Sequence, residues 1–178
     1  MPEKPSKQKR NVYIIHDGPL FDIKVNESLA KSTTNYCLKN CNIKDVPNEV
    51  KDIVDENDED PVFVIHTGIK ELVSLSSEHF VIDAINCTNK LKKDFQSADI
   101  GIVLILPSVE DDQKLDTKRL QANKALKTSE ELNDFTIIKN GEFDVEKIYD
   151  STTKSLCIPI YNNITKYINM FIKSMERK

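Results

Sequence analysis

Short, nearly uninterrupted apolar runs alternate along this chain with segments of helical period. Val12–Ile15 (VYII), the run opening PVFVIHTG (61–68) and IGIVLILP (100–107) are too short for helices and too uniformly apolar for strands with one wet face. Each therefore reads as a strand buried on both sides. Between the last two lies Ser76–Phe95, where Ser76 or Ser77 can cap a long helix whose inner stripe would be Phe80, Val81, Ala84, Ile85, Leu91 and Phe95. Val46–Asn57 carries a proline near its start and Val46, Val50, Ile53 and Val54 at helical spacing, which predicts another helix ending in an acidic loop. Thr117–Leu132 predicts a helix, FTII (135–138) a last strand, and Ile158–Met175 a closing amphipathic helix with Ile160, Ile164, Tyr167, Ile168, Phe171 and Ile172 inward. Two weaker patterns complete the order. Phe21–Ser32 reads as the helix after the first strand despite its β-branched residues, and Asn35–Ile43 as a second, partly exposed strand.

About five strands alternating with helices predict a three-layer α/β/α sandwich around a central parallel sheet, flavodoxin-like in order. Ligands of such sheets sit beyond the carboxyl ends of the strands, where strand order reverses. In this order that point lies between the first and third strands, so His16-Asp17-Gly18 and His66-Thr67-Gly68 should meet there.

Composition narrows the class. With 178 residues, 39% hydrophobic and 30% charged, the chain reads as one globular domain over 11–178 behind a flexible basic arm, 1–10. The net charge of −4 conceals a basic opening, the acidic run DIVDENDED and a basic end. Cys37, Cys41, Cys87 and Cys157 do not form the paired spacing of a zinc site and read as reduced thiols; no metal or cofactor is expected. A polar N-terminus and the lack of a membrane-length apolar run point to a cytoplasmic protein without a membrane partner.

The layout resembles the SGNH (GDSL-type) hydrolases, esterases and lipases of this same fold. VYIIHDGPL matches the register of the family's first block, strand then Gly-Asp-Ser-Leu, with His16, Asp17, Gly18 and Pro19 in those places; only the aspartate is shared. VFVIHTGIKEL matches the third block, strand then Gly-x-Asn-Asp, with Gly68 kept and Ile69, Lys70 and Glu71 following. RLQANKAL resembles the segment around an asparagine that often follows the fourth strand. The nucleophilic serine, the oxyanion glycine and asparagine, and the closing Asp-x-x-His have no counterparts; Asp150 is present, but no histidine follows His79. Acyl transfer requires an activated nucleophile and donors aimed at the developing oxyanion. The resemblance thus implies a pseudo-hydrolase, similar to the Oskar-type SGNH-like domains, which lack the catalytic residues and are associated with RNA. It further implies RNA or a protein as partner in a ribonucleoprotein setting; the sequence sets neither the oligomeric state nor an RNA preference.

Two readings stand for His16, Asp17 and His66: an improvised acid–base or metal site and a substitute hydrolase, or polar strand ends satisfied by water and backbone, which the rarity of such sites favours. A purely protein-binding adaptor is the remaining alternative. For RNA, the candidate contacts are Lys7, Lys9 and Arg10 on the arm and Lys90, Lys92 and Lys93 at the end of the long helix, with Lys4, Lys173, Arg177 and Lys178 as further basic residues. Phosphate binding needs such charges gathered on one face, whereas lysines at helix C-termini also complement the helix dipole. Without a stacking-aromatic motif, contacts would go to backbone phosphate.

Overall fold

A computed structural model of the chain describes residues 8–18, 23–38, 42–108, 110, 112–140, 148–150, 152 and 156–176. Among them run β1 (Arg10–His16), β2 (Ala30–Cys37), the single-turn α1 (Val46–Glu49), β3 (Val62–His66), α2 (Ser77–Asp94), β4 (Asp99–Val103), α3 (Gln113–Ser129), β5 (Thr136–Ile138) and α4 (Ile158–Ser174). The strands pair in the order β2-β1-β3-β4-β5, all parallel. The expected three-layer α/β architecture is therefore present, with its switch point between β1 and β3.

Alternation within each strand divides the core. Tyr13, Ile15, Phe63 and Ile65 face α1, α2 and α3, meeting Val46, Phe80, Ala84, Leu91 and Leu126. Val12, Ile14, Val62 and Val64 face α4, meeting Ile164, Ile168 and Phe171. Fully burying a side chain such as Phe80 or Ile14 contributes about 1.5–3 kcal/mol, so the two clusters together fix which helix covers which face. Gly101 in β4 belongs to this fit: a Cβ there would stand 2.5 Å from Ile138 Cδ1 and 2.7 Å from the Phe171 ring. Helix starts follow their caps. Ser76 Oγ accepts the His79 N–H, the Asp112 carboxylate accepts those of Lys114 and Leu115, and Pro159 occupies the first turn of α4.

Several expected boundaries differ. No helix forms over 23–29; this stretch is extended coil and turn, and Ile23 and Val25 pack individually into the α4 cluster, as β-branched residues poorly suited to a helix can do. The second strand begins at Ala30, five residues ahead of expectation, because an edge strand exposed over most of its length tolerates the polar run KSTTN. Val46–Asn57 makes one α-turn flanked by 3₁₀ turns, although Val46 and Val50 are buried as its period implied. β4 stops at Val103, and Leu104–Pro107 continues as buried coil; the Leu104 N–H donates to the Ile138 carbonyl, and side chains of Asn123 and Asn140 meet the Ile105 N–H and the Leu104 carbonyl.

Candidate functional site

Register places the two strand ends side by side, with His16 opposite His66. The Asp17 N–H donates to the His66 carbonyl at 3.2 Å, and the Leu38 N–H donates to the His16 carbonyl at 2.7 Å. Asp17 then turns inward. Its Oδ2 accepts the Gly68 N–H and the Thr67 hydroxyl, each at 3.3 Å, while Thr67 Oγ1 lies 2.9 Å from Glu71 Oε2 and Glu71 Oε1 accepts the Ile43 N–H at 3.0 Å.

A hydroxyl has one hydrogen, so Thr67 can donate to only one of two carboxylates. Burial is the largest influence on Glu71 and raises its pKa; bonds from Ile43 and Thr67 oppose it, and the charges of Asp17 and Asp83 reinforce it. The chain of bonds is satisfied when Glu71 holds a proton and donates to Thr67, which in turn donates to Asp17. His66 is shifted the other way: burial lowers its pKa, and the Asp17 charge opposes without reversing this. Its Nδ1 stands 3.7 Å from Asp17 Oδ1, too far for a hydrogen bond, and neither ring nitrogen nor that oxygen has a hydrogen-bond partner. A neutral imidazole costs less to bury in this state than a charged one.

The sequence-predicted positions are thus brought together, but as an internal polar cluster. His16, Asp17, His66, Thr67 and Glu71 are all buried. Gly18 has φ +154° and open space where a side chain would project; its N–H donates to His16 Nδ1 at 3.3 Å. Gly68 has φ +130° and lies against the Phe80 ring. Lys70 is exposed, and its Nζ donates to the Asp17 carbonyl at 2.7 Å, tying the loop after β3 to the loop after β1.

Residues beyond those predicted complete this end of the sheet. Asn123 on α3, in the RLQANKAL segment, accepts the Ile105 N–H and donates to the Ile105 carbonyl, both at 2.9 Å. Asn140 donates to the Leu104 carbonyl at 2.9 Å. The Tyr149 hydroxyl donates to the Pro107 carbonyl at 2.8 Å; burial raises its pKa to about 12, with the Asp17 charge adding and Arg119 opposing. Arg119 itself pairs with Asp116 and donates to the Ile105 carbonyl. Asn140 and Tyr149 left no spacing signal, because their partners lie 36 and 42 residues away.

The basic candidates do not converge on this site. Lys7 lies outside the described residues. Arg10 belongs to the sheet and not to an arm: its guanidinium is buried, pairs with Asp99 and Asp60, and donates to the carbonyls of Asp60, Pro61, Ser97 and Met175. It is therefore not available to a phosphate. Lys9 donates to the Glu27 carbonyl beside a cleft that Asp55, Asp58, Glu59 and Asp60 also line. Lys90 donates to Asn48, Lys92 pairs with Asp134, and Lys93 is exposed.

Among the described residues no three His, Cys, Asp or Glu side chains are grouped so as to hold a metal ion. Cys37, Cys87 and Cys157 carry free thiols, and burial pushes that of Cys87 up; Cys41 is outside the described residues. No helix of the described residues is long and apolar enough to cross a membrane.

No protein-family model and no curated protein matches the chain in sequence. Solved structures do match in fold. A member of the lipolytic protein G-D-S-L family from Veillonella parvula superimposes with a TM-score of 0.68 at 12% identity, over 89% of this chain and 95% of that one. A GDSL-like lipase from Bacteroides thetaiotaomicron gives 0.63 at 11% identity, over 93% of this chain and 88% of that one. At such identities the likeness concerns the backbone and its topology, and the fold is an α/β SGNH-like one.

Proposed function

We propose that this chain is a non-catalytic SGNH-like binding module whose ligand is RNA, held through backbone phosphates. One observation supports the first half: His16, Asp17 and His66 are only 1%, 3% and 1% exposed, and Gly18, in the register that resembles the family's nucleophile block, has no side chain to attack with. A general base must reach the proton it abstracts, and an acyl acceptor needs an attacking atom. Neither is presented here, which speaks against a substitute hydrolase built on these residues.

The RNA half rests on the lysines that close α2. Lys90, Lys92 and Lys93 lie at its C-terminal end, and two of them, Lys90 and Lys93, are exposed and without a carboxylate partner among the described residues. The acidic cleft beside Lys9 and the burial of Arg10 remove the root of the arm from the binding surface.

Hydrolysis of short acyl esters and binding of a fluorescent single-stranded RNA test the two halves separately. No turnover is expected. Ester hydrolysis that disappears in His16→Ala would overturn the non-catalytic reading. RNA affinity should fall with salt, the log–log slope dropping by about 2 when Lys90, Lys92 and Lys93 are all changed to Glu. It should be unchanged in His16→Ala. If wild-type protein binds no RNA at low salt, the ligand is a protein.

A further inference from the structure

At the switch point of the sheet one carboxylate faces two sets of partners and satisfies only one of them. Asp17 Oδ1, His66 Nδ1 and His66 Nε2 are buried without a hydrogen-bond partner among the described residues, whereas nearly all buried polar groups find one. The Asp17 backbone is fixed: its N–H donates to the His66 carbonyl at 3.2 Å, and its own carbonyl accepts from Lys70 Nζ at 2.7 Å. The carboxylate is held less firmly. Both bonds to Oδ2, from the Gly68 N–H and the Thr67 hydroxyl, are 3.3 Å long, beyond the usual range, while Oδ1 lies 3.7 Å from His66 Nδ1. A rotation of one side chain therefore separates two bonding arrangements.

We propose that Asp17 is a two-position latch: its carboxylate rests on Gly68 and Thr67 while the His66 imidazole is neutral, and moves onto His66 Nδ1 when the ring takes up a proton. Closing the gap of 3.7 Å to the ~2.8 Å of a charge-assisted bond takes a shift of about 1 Å, and that bond is stronger than the two long ones it replaces. The second ring donor sets the opposing cost. A protonated Nε2 has no acceptor among the described residues, and burial resists the charge, so the latch moves below the ordinary imidazole value of 6.5.

Other titratable groups reach the pair from each neighbouring element. His16 on β1 lies opposite His66, but its Nδ1 accepts the Gly18 N–H. Glu71, after β3, shares the Thr67 hydroxyl with Asp17; Asp83 and Cys87 on α2 stand near Glu71, and Arg119 on α3 near Tyr149, which feels the Asp17 charge. Pairing Asp17 with a charged His66 removes one of the charges that raise the Glu71 pKa and frees Thr67 to donate to Glu71. A proton on His66 and a proton on Glu71 thus oppose one another, and by linkage each weakens the other equally. The latch is independent of what the module binds.

NMR of isotope-labelled protein between roughly pH 7.5 and 5 reads each group separately. The His66 ring should titrate below its ordinary value, and the Gly68 amide should shift with the same midpoint as Asp17 leaves it. Asp17→Asn should lower the His66 midpoint by at least about one pH unit, a tenfold loss of proton affinity, or push it out of the folded range. Thr67→Val removes the hydroxyl that competes for Asp17 and should raise the midpoint instead. Burial alone would not give opposite shifts from two neighbours, and Thr67→Val decides the matter if Asp17→Asn does not fold. The proposal is overturned by an imidazole that stays neutral until the wild-type protein unfolds, by a Gly68 amide that does not follow it, or by an unmoved midpoint in either folded variant. A Gly68 amide that follows His16 in place of His66 overturns it as well.

Discussion

Adding one methyl group at Gly68 should destabilise the protein far more than adding it at Gly18, although both glycines end a strand at the same site. Gly68 has φ +130°, and a Cβ there would lie 2.7 and 2.8 Å from the Phe80 ring and 3.0 Å from Ile105 Cδ1. Gly18 has φ +154° with nothing within 4 Å of the new atom. Strained backbone costs about 1–3 kcal/mol at either position, and loss of glycine freedom in the unfolded chain returns about 0.4–1 kcal/mol. Only Gly68 adds overpacking, about 1–3 kcal/mol, against a ring held in a full core. We expect about 2–4 kcal/mol for Gly68→Ala and about 1 kcal/mol for Gly18→Ala. In a domain of this size the former lowers Tm by about 5–15 °C. Urea denaturation at fixed pH measures both, and Phe80→Leu tests the cause. By making room, it should render the double variant at least ~1 kcal/mol more stable than additivity allows. Equal losses for the two alanines, or strict additivity with Phe80→Leu, would refute the packing argument.

Two further outcomes follow from buried charge. Burial lowers the His66 pKa, so below its ordinary value of 6.5 the unfolded chain takes up a proton that the folded protein resists. Its contribution to stability is complete above that pH and declines as pH falls, by up to ~1.4 kcal/mol per unit. Glu71 acts oppositely, since its raised pKa lets the folded protein hold a proton longer as pH rises. Urea midpoints between pH 8 and 5.5 should therefore fall less steeply toward acid in His66→Leu than in wild type; parallel curves would show that His66 is not buried neutral. Arg10→Ala strands Asp60 and Asp99 and should cost about 3 kcal/mol by denaturant unfolding, and Arg10→Lys should recover only part, lacking donors for the several carbonyls. A neutral Arg10→Ala would return this residue to the exposed arm.

Hydrophobic pattern determined much of this molecule before any contact was known. Strands buried on both faces announce themselves as apolar runs, and α2 and α4 as stripes, because burial follows period wherever one element faces a core. The stripe residues Phe80, Ala84, Ile164 and Ile168 are among the most buried, and the strand ends at His16 and His66 meet as the order implied. What the pattern could not carry was decided by partners distant in the chain. β2 is polar because it is an edge, and an edge is defined only by which strands fail to flank it. Residues 23–29 forgo a helix since Ile23 and Val25 find separate places in the α4 cluster. Arg10, with only its charge to read, looks like part of a basic arm; its carboxylate partners Asp60 and Asp99 stand 50 and 89 residues away. Likewise, the types of His16, Asp17 and His66 suggest chemistry, but tertiary packing placed all three away from solvent. A sequence records which groups can ionise or donate; the fold sets the dielectric and the neighbours, and these determine which of them do.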